Sequence, residues 1–301
     1  MASERISRIA VAINPNAAGG RGSAVGAAVV RALGGLGYQV TILQEADLAD
    51  LEESARRVLG SVDALVVVGG DGMVHFAANL LAGTSVPLGI VPAGTGNDVA
   101  RGLGIPINDT ERAIDWITAA LVAGPRRIDA GLVHRPDGSK HWFVGVLSAG
   151  FDALVNERAN QLRWPKGPAR YTLAMLLTLL RFRPIRYELG ADGPPTVKSA
   201  MLVSVANGNF IGGGMHITPD ARFDDGLFDV FVVAPMSKLE LIRLFPRVFK
   251  GTHVGHRKVT ISRARRVTID AAGVVAYADG ERISELPIDV ELVPGALALL
   301  A

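Results

Sequence analysis

The chain has no cysteine among its 301 residues. Disulfide bridges, thiolate metal sites and cysteine nucleophiles are therefore excluded, and this composition fits a reducing compartment. Long hydrophobic runs are also missing, because the longest one inside a candidate helix, residues 173–180, is far below the roughly 20 residues of a membrane span. Residues 1–8 are polar and charged and lack the apolar core of a signal peptide. We expect a cytoplasmic protein that is soluble or at most peripherally attached to a membrane.

A strong excess of charge is absent as well. The formal net charge is only +2, which gives no general reason to expect nucleic-acid binding. Positive charge is nevertheless concentrated in two stretches: one holds Arg158, Arg163, Lys166, Arg170, Arg181, Arg183 and Arg186, and the other holds Arg243, Arg247, Lys250, Arg257, Lys258, Arg263, Arg265 and Arg266. Each stretch is either a solvated face or a contact surface for phosphates or anionic membrane headgroups.

Two common nucleotide-binding motifs are missing too. The chain contains no Gly-x4-Gly-Lys-Ser/Thr sequence, and no Gly-x-Gly-x-x-Gly sequence follows its first apolar strand. An ordinary P-loop enzyme or dinucleotide-binding protein is therefore disfavoured.

What the sequence does contain is a glycine turn directly after a buried apolar strand. The apolar run 65–68 is followed by Gly69, Gly70, Asp71 and Gly72. Bare backbone N–H groups beside a carboxylate suit phosphates and the Mg²⁺ that accompanies them. The alternative is a strand-to-helix turn that merely needs glycine.

A second turn of this kind follows the apolar run 86–91. Its residues are Gly94, Thr95, Gly96, Asn97 and Asp98. Thr95 and the two glycines suit a phosphate, and the side chain of Asn97 can hydrogen-bond a base or ribose. Asp98 is alternatively a simple N-cap of the next helix. Together the two turns predict a nucleotide-dependent kinase.

Strand and helix patterns alternate over residues 1–125. Strands are expected at 9–13, 39–43, 64–68 and 88–91, and helices at 23–36, 48–59, 74–81, 98–103 and 110–121. This alternation predicts an α/β domain with a parallel sheet covered by helices on both faces. Ligands in such sheets bind beyond the carboxyl ends of the strands, where both glycine turns lie.

Residues 126–290 are β-rich, and we expect an antiparallel β-sandwich there. The expected strands are 127–133, 142–148, 200–206, 227–233, 258–262, 266–271, 274–277 and 287–292, with helical stretches at 151–183 and 238–249. The tail, 291–301, either ends this second domain or packs back on the first.

The ordered set of motifs resembles the diacylglycerol kinase catalytic domain. The set comprises Asn14-Pro15, the two glycine turns, Ser148-Ala149-Gly150-Phe151-Asp152, Ala206-Asn207-Gly208, Gly212-Gly213-Gly214, the stretch 219–229 and Asp279-Gly280-Glu281. It covers nearly the whole chain, and residues 158–165 resemble the actinobacterial branch of the soluble bacterial enzymes. The resemblance implies an N-terminal fold like that of NAD kinases and phosphofructokinases, with the C-terminal domain binding the lipid substrate.

The resemblance also implies roles for individual residues. Asn14, Gly69, Gly70, Gly72 and Thr95 match positions that contact ATP, whereas Asp71 and Asp98 match acids that organise the catalytic Mg²⁺ through water. Asp225 matches an acid that anchors a second, structural Mg²⁺, with the backbone oxygens of Arg222 and Leu227 as further ligands. Glu281 and Asp279 match the acidic pair that contains the general base, and we favour Glu281. Without the resemblance, 224–226 is alternatively an ordinary turn and 279–281 a hairpin turn.

The chain departs from the family pattern at two places. The family usually has threonine after the first glycine turn and Asn-Glu shortly afterwards, but here these positions hold Met73, His75 and Phe76. His75 is either an exposed residue of the first helical turn or a substitute polar contact. Related chains often carry a lysine after Asn14-Pro15, and Arg21 is the nearest basic residue here.

The resulting hypothesis is a lipid kinase that uses ATP and Mg²⁺ to phosphorylate the primary hydroxyl of diacylglycerol, giving phosphatidic acid. The acceptor is alternatively a sphingoid or ceramide-type lipid or a soluble molecule such as NAD, and a non-enzymatic nucleotide-binding regulator is a further alternative. We expect peripheral contact with the anionic inner face of the membrane. Apolar residues lie among the cations of the first basic stretch and form either that contact or a buried helix: Trp164, Tyr171, Leu173, Met175, Leu176 and Leu179. A homodimer is also compatible with this fold.

Overall fold

The architecture is that of a computed structural model. It describes residues 6–150 and 183–301, and between them residues 154, 155, 158, 159, 161, 162, 164, 170, 173, 174, 177 and 178. The chain divides into two compact units: unit 1 comprises Met1–Ile128 with Gly295–Ala301, and unit 2 comprises Asp129–Pro294.

Unit 1 is built on a parallel sheet. Its strands β1 (Arg8–Ile13), β2 (Gln39–Leu43), β3 (Ala64–Gly69) and β4 (Leu88–Pro92) lie in the order β2-β1-β3-β4. Every residue of β3 and β4 is buried, which explains why these strands are continuous apolar runs without alternation. The last residues of the chain add a further parallel strand, since Leu299 and Leu300 pair with Leu88 and Gly89.

The helices of unit 1 follow the strands in alternation. They are α1 (Ala17–Gly20), α2 (Gly22–Gly35), α3 (Leu48–Val58), α4 (Asp71–Leu81), α5 (Asp98–Gly102) and α6 (Thr110–Ala123), with a short 3₁₀ turn at Leu59–Ser61. Helix α2 contacts α6, and α3 contacts α4. The predicted α/β domain with a parallel sheet is confirmed.

Unit 2 is rich in antiparallel strands. They are β5 (Arg126–His134), β6 (Lys140–Phe143), β7 (Val146–Gly150), β8 (Ile185–Ala191), β9 (Thr196–Ala200), β10 (Leu202–Ala206), β11 (Phe210–Ile211), β12 (Met215–His216), β13 (Phe228–Val233), β14 (Val259–Ala264), β15 (Arg266–Asp270), β16 (Val275–Ala278), β17 (Glu281–Glu285) and β18 (Ile288–Leu300). Helix α7 (Lys238–Val248) lies between β13 and β14 in the chain. Strands β5 and β18 extend across the boundary between the units.

Two antiparallel layers enclose the core of unit 2. One has the order β14-β13-β10-β7-β16-β17, and the other includes the neighbours β18, β15, β8 and β9. Buried side chains from both layers meet in one cluster, to which Tyr187 of β8, Phe228 of β13 and Val267 of β15 belong. The predicted antiparallel sandwich is confirmed.

Two expected strands are each divided in the structure. The run 142–148 becomes β6 and β7, because the N–H groups of Val144, Gly145 and Val146 bond to a side chain rather than to a neighbouring strand. The run 200–206 is interrupted at Met201, where the chain leaves the pairing of β9 with β8 and enters the pairing of β10 with β7. Strands β8, β9, β11, β12 and β17 were not predicted, since only Ala200 of β9 lies in an expected strand.

The predicted helical stretch 151–183 lies largely outside the described residues. Among the residues on which its motifs and membrane contact rest, Phe151, Asp152, Asn160, Arg163, Pro165, Lys166, Tyr171, Met175, Leu176, Leu179 and Arg181 are outside them. Trp164 is described, and its side chain is exposed. Within the described part of the chain, no helix has the length and apolar character that crossing a membrane requires.

Candidate active site

The two glycine turns of unit 1 lie against each other. They follow the adjacent parallel strands β3 and β4, and the N–H of Ala93 donates to the carbonyl of Gly69 at 2.7 Å. A Cβ atom on Gly94 would lie 2.3 Å from the Cα of Gly70, and one on Gly70 would lie 3.0 Å from the Cα of Gly94. Glycine is therefore required at both positions because the two backbones touch, whether or not a ligand approaches.

Asp71 connects the two helices that begin after these turns. It is the first residue of α4, and its Oδ1 accepts a hydrogen bond of 3.1 Å from the N–H of Val99 in α5. Asp98 is the first residue of α5 and is 9% exposed, with its Oδ1 4.0 Å from Nε of Arg101. The structure thus brings the starts of both helices, each with a carboxylate, to the same junction.

Asn97 determines the shape of the second turn. Its backbone is left-handed, with a φ of 54°. Its Oδ1 accepts from the N–H of Gly94 and its Nδ2 donates to the carbonyl of Gly94, both at 2.9 Å. Because the side chain is buried and both polar atoms bond Gly94, the turn is rigid, while Thr95 remains exposed at its tip.

A cavity of about 390 Å³ adjoins this turn. Its lining includes Pro92, Gly94, Asn97, Asn108 and Arg21. Arg21 is the basic residue nearest to the position where related chains often carry a lysine. The structure places it in the lining of a cavity that adjoins the second glycine turn.

Asn14 lies beside the first turn. Its Oδ1 accepts the N–H of Asn16 at 2.9 Å, and its Cβ is within 3.6 Å of the position that a Cβ on Gly69 would take. The structure therefore brings Asn14, Gly69 and Gly70 together at the carboxyl ends of β1 and β3, as the motif order led us to expect.

The residues that depart from the family pattern are packed into the core of unit 1. Met73, His75 and Phe76 are all buried, and the interpretation of His75 as an exposed residue is wrong. A Cβ on Gly69 would lie 2.4 Å from Cγ of Met73, so the methionine covers the backbone of the first turn. Met73 and Phe76 place apolar side chains at the start of α4, whereas His75 keeps a polar side chain there.

The acidic motif of unit 2 forms a tight hairpin turn. Asp279 and Gly280 join β16 to β17, and both have positive φ, 52° and 90°, as a two-residue type I′ loop requires. The carboxylate of Asp279 accepts backbone N–H bonds from Val144 at 2.9 Å, Gly145 at 2.8 Å and Val146 at 3.2 Å. Asp279 therefore holds the chain between β6 and β7 in place.

Asp192 shows a related arrangement in the longer connection between β8 and β9. It also precedes a glycine, has a φ of 50°, and accepts backbone N–H bonds from Arg265 at 2.9 Å and Arg266 at 2.8 Å. An aspartate in this setting is a structural anchor. No local pattern could have indicated this role from the sequence, because Asp71-Gly72 is the same pair and its carboxylate has different contacts.

Glu281 differs from its neighbour Asp279. It is the first residue of β17 and is exposed. An exposed carboxylate two residues beyond a rigid turn is free to approach a substrate, whereas the carboxylate of Asp279 is held by three backbone donors.

Both carboxylate oxygens of Asp225 bond to protein groups. Oδ1 accepts the N–H of Leu227 at 3.2 Å, and Oδ2 forms an ion pair with Arg263. Arg222 pairs instead with Asp224 at 3.5 Å. Among the described residues, no group of three or more acidic, histidine or cysteine side chains is arranged to hold a metal. The expected ligands of the structural Mg²⁺ are one side chain, Asp225, and the backbone oxygens of Arg222 and Leu227, so this site stays a prediction.

Sequence reasoning missed two neighbours of Asp225. Asp129 accepts the N–H of Gly226 at 2.8 Å, and Arg263 supplies the neutralising charge. Nearby, Asp229 is buried, and burial raises the pKa of its carboxyl although Arg263 opposes this shift. No local pattern predicts these contacts, because the partners are far apart in the chain.

Comparisons with known proteins agree with this architecture. Residues 8–133 match the family model described as the diacylglycerol kinase catalytic domain, and residues 145–301 match the one described as the YegS C-terminal NAD kinase beta sandwich-like domain. A diacylglycerol kinase of Mycobacterium tuberculosis is 39% identical over 98% of this chain and 95% of its own length. One of Bacillus subtilis is 28% identical over 83% of this chain and 82% of its own.

The fold is also that of a solved structure. A putative diacylglycerol kinase from Bacillus anthracis superposes with a TM-score of 0.80 at 22% identity, covering 99% of this chain and 98% of its own. The family matches span both units, and the enzymes of this family transfer a phosphoryl group to an alcohol acceptor. The chain belongs to the bacterial diacylglycerol kinase family and is a kinase.

Proposed function

We propose that this protein transfers the γ-phosphoryl group of ATP, with Mg²⁺, to the primary hydroxyl of diacylglycerol and produces phosphatidic acid. The observation that carries the proposal is the junction in unit 1, where two glycine turns touch and the Asp71 carboxylate bonds the start of α5. Phosphoryl transfer depends mainly on positioning and charge neutralisation, for which such a rigid junction is suited.

The residues of unit 1 bind the nucleotide in this proposal. Backbone N–H groups of Gly70, Gly72 and Gly96, with the exposed hydroxyl of Thr95, bind phosphate oxygens. Asn14 contacts the nucleotide at the end of β1, and Arg21 adds positive charge at the adjoining cavity. The carboxylates of Asp71 and Asp98 are hard oxygen donors and fit a water-bridged Mg²⁺, which when bound neutralises phosphate charge.

Glu281 of unit 2 accepts the proton. As the lipid hydroxyl oxygen bonds to the γ-phosphorus, the bond between that phosphorus and the leaving ADP oxygen breaks, and the hydroxyl proton passes to the Glu281 carboxylate. Asp279 positions this residue, because its contacts fix the hairpin from which β17 begins.

We also propose where the enzyme acts. Because ATP is dissolved in the cytoplasm and diacylglycerol resides in the bilayer, the enzyme works as a cytoplasmic protein in peripheral contact with the anionic inner face of the membrane.

One observation supports a soluble molecule as an alternative acceptor. The family model that matches residues 145–301 is described as NAD kinase-like, so the sandwich of unit 2 is also compatible with a soluble acceptor such as NAD. A sphingoid or ceramide-type lipid is the related alternative within the lipid class.

The test is transfer of radiolabel from γ-labelled ATP to each acceptor in parallel. Diacylglycerol and ceramide are presented in anionic mixed micelles and NAD in solution, with and without Mg²⁺, and products are separated by chromatography. We expect labelled phosphatidic acid only with diacylglycerol and Mg²⁺. Labelled NADP without labelled lipid would contradict the lipid assignment, and transfer that persists after chelation of the metal would contradict the role of Mg²⁺.

A further inference from the structure

Helix α7 presents a second apolar row on its outer side. Its inner row, Leu241, Leu244, Phe245 and Val248, packs on a buried cluster of unit 2. Residues 239, 242, 246 and 249 follow the 3-4-3 spacing of another helical stripe and are Leu, Ile, Pro and Phe. The side chains of Leu239, Ile242 and Phe249 are 56%, 48% and 48% exposed, whereas an ordinary surface helix is polar there.

Cations flank this outer row. Arg243 and Arg247 form the neighbouring stripe of the helix, and Lys250 and Arg257 follow after its end. Residues 234–263 contain a single acid, Glu240, whose carboxylate bonds Lys258 at 2.7 Å and lies 3.5 Å from His256. The surface is therefore apolar and strongly cationic, with its one negative charge already neutralised.

A cavity of about 420 Å³ opens within this surface. Three arginines line it, Arg243, Arg247 and Arg257, together with Glu240, whose carboxylate is paired with Lys258. Guanidinium groups match phosphate oxygens in geometry as well as in charge, so this cavity suits a phosphodiester headgroup.

We propose that the α7 surface, made of helix α7 and residues 249–257, docks on an anionic lipid bilayer. Leu239, Ile242 and Phe249 enter the boundary between headgroups and acyl chains, and the arginines pair with lipid phosphates. A second copy of the chain is disfavoured as the occupant, because a symmetric contact would place two cationic surfaces face to face. The inference deepens the proposed function by assigning its membrane contact to one face.

The test is cosedimentation of the full-length protein with vesicles in the absence of nucleotide. Phosphatidylcholine vesicles are compared with vesicles that contain about one third phosphatidylglycerol, at low and raised salt. We expect binding to the anionic vesicles only, weakened by salt. The variant Arg243→Gln/Arg247→Gln/Arg257→Gln should bind about fivefold less tightly for each cation removed. The variant Leu239→Ser/Ile242→Ser should also lose affinity, and this loss should persist at every salt concentration.

One variant in unit 1 is the control. Arg31 and Leu36 are exposed, and Arg31→Gln/Leu36→Ser removes the same kinds of group far from α7 in the sequence. Equal vesicle binding by the wild type and both α7 variants would overturn the proposal, as would an equal loss in the control. Loss of a dimer in the Leu239→Ser/Ile242→Ser variant, with unchanged vesicle binding, would identify a second copy as the occupant and overturn it as well.

The outcome is independent of the catalytic assignment. Vesicle binding is measured without ATP or acceptor, so the docking of the α7 surface on a bilayer can be shown even if diacylglycerol is not the substrate. Conversely, a short-chain diacylglycerol in dilute solution needs no bilayer. The α7 variants should phosphorylate it at the wild-type rate, and a parallel loss there would also contradict a purely membrane-docking role.

Discussion

The glycine turns of unit 1 and the acidic hairpin of unit 2 show opposite uses of similar motifs. In unit 1 the glycines allow two backbones to touch, and the Asp71 carboxylate joins the helices that follow. In unit 2 the carboxylate of Asp279 is used by the backbone of a distant segment, whereas Glu281 stays exposed. A carboxylate within a motif is therefore assigned to chemistry or to structure only by its contacts.

The largest expected effect is the loss of transfer activity when the charge of Asp71 in unit 1 is removed. Asn at position 71 keeps an oxygen for the N–H of Val99 but removes the charge, so Asp71→Asn should retain the fold and lose transfer activity by about 10²-fold or more. Initial rates over a Mg²⁺ titration, together with thermal unfolding, check this. Unchanged activity would show that Asp71 serves only to join α4 and α5.

Asp279→Asn should instead act mainly on stability. Asn tolerates the left-handed backbone, but its NH₂ group would face N–H donors that the carboxylate now satisfies, at a cost of about 2–4 kcal/mol in the free energy of unfolding. Urea unfolding measures this change.

Asp192→Asn is the control, because Asp192 also has a left-handed backbone before a glycine and its carboxylate accepts two backbone N–H groups. It should lose stability comparably and keep full activity per folded molecule. A variant Asp279→Asn that is fully stable but inactive would make Asp279 the base.

Gly94→Ala tests the contact between the two turns. A Cβ 2.3 Å from the Cα of Gly70 must displace backbone, so we expect a loss of about 1–3 kcal/mol in stability and weaker ATP binding. Gly34→Ala, in helix α2 with no atom within 4 Å of its new Cβ, should stabilise by about 0.5–1 kcal/mol. Calorimetry measures the unfolding and the ATP binding of both variants. Equal stability and equal ATP affinity of Gly94→Ala and Gly34→Ala would contradict the close contact between Gly94 and Gly70.

The smallest effect concerns Asp63, a carboxylate of unit 1 used as an anchor. The side chain of Arg8 holds the pKa of Asp63 well below its usual range, and the N–H groups of Ser7 and Arg8 assist. Because the folded-state pKa is lowered, this stabilisation is present above the unfolded pKa of about 4 and is lost as the pH falls further.

Asp63→Asn should therefore cost about 1 kcal/mol near neutral pH, since the half-exposed Arg8 is screened by solvent. The difference from the wild type should shrink in acid, which unfolding curves across pH reveal. A constant difference at all pH values would contradict the assignment.

The sequence predicted whatever depends on local pattern. The apolar runs of β3 and β4, ended by glycine or proline, gave the parallel sheet, and the ordered motifs placed Asn14 beside the first turn. The division of β6 from β7 could not be predicted, because it depends on a carboxylate 135 residues away from Val144. Strand β9, which is exposed and polar at most positions, offers no apolar alternation, and the pairing of Asp225 with Arg263 is likewise non-local.

The most direct test of the central claim compares Glu281→Gln with the wild type in transfer of label from γ-labelled ATP to diacylglycerol, alongside ATP affinity. The account assigns nucleotide binding to unit 1 and proton acceptance to Glu281. It predicts that the rate falls by about 10²–10⁴-fold while ATP affinity and unfolding stay unchanged. A variant that transfers phosphate at the wild-type rate would contradict it.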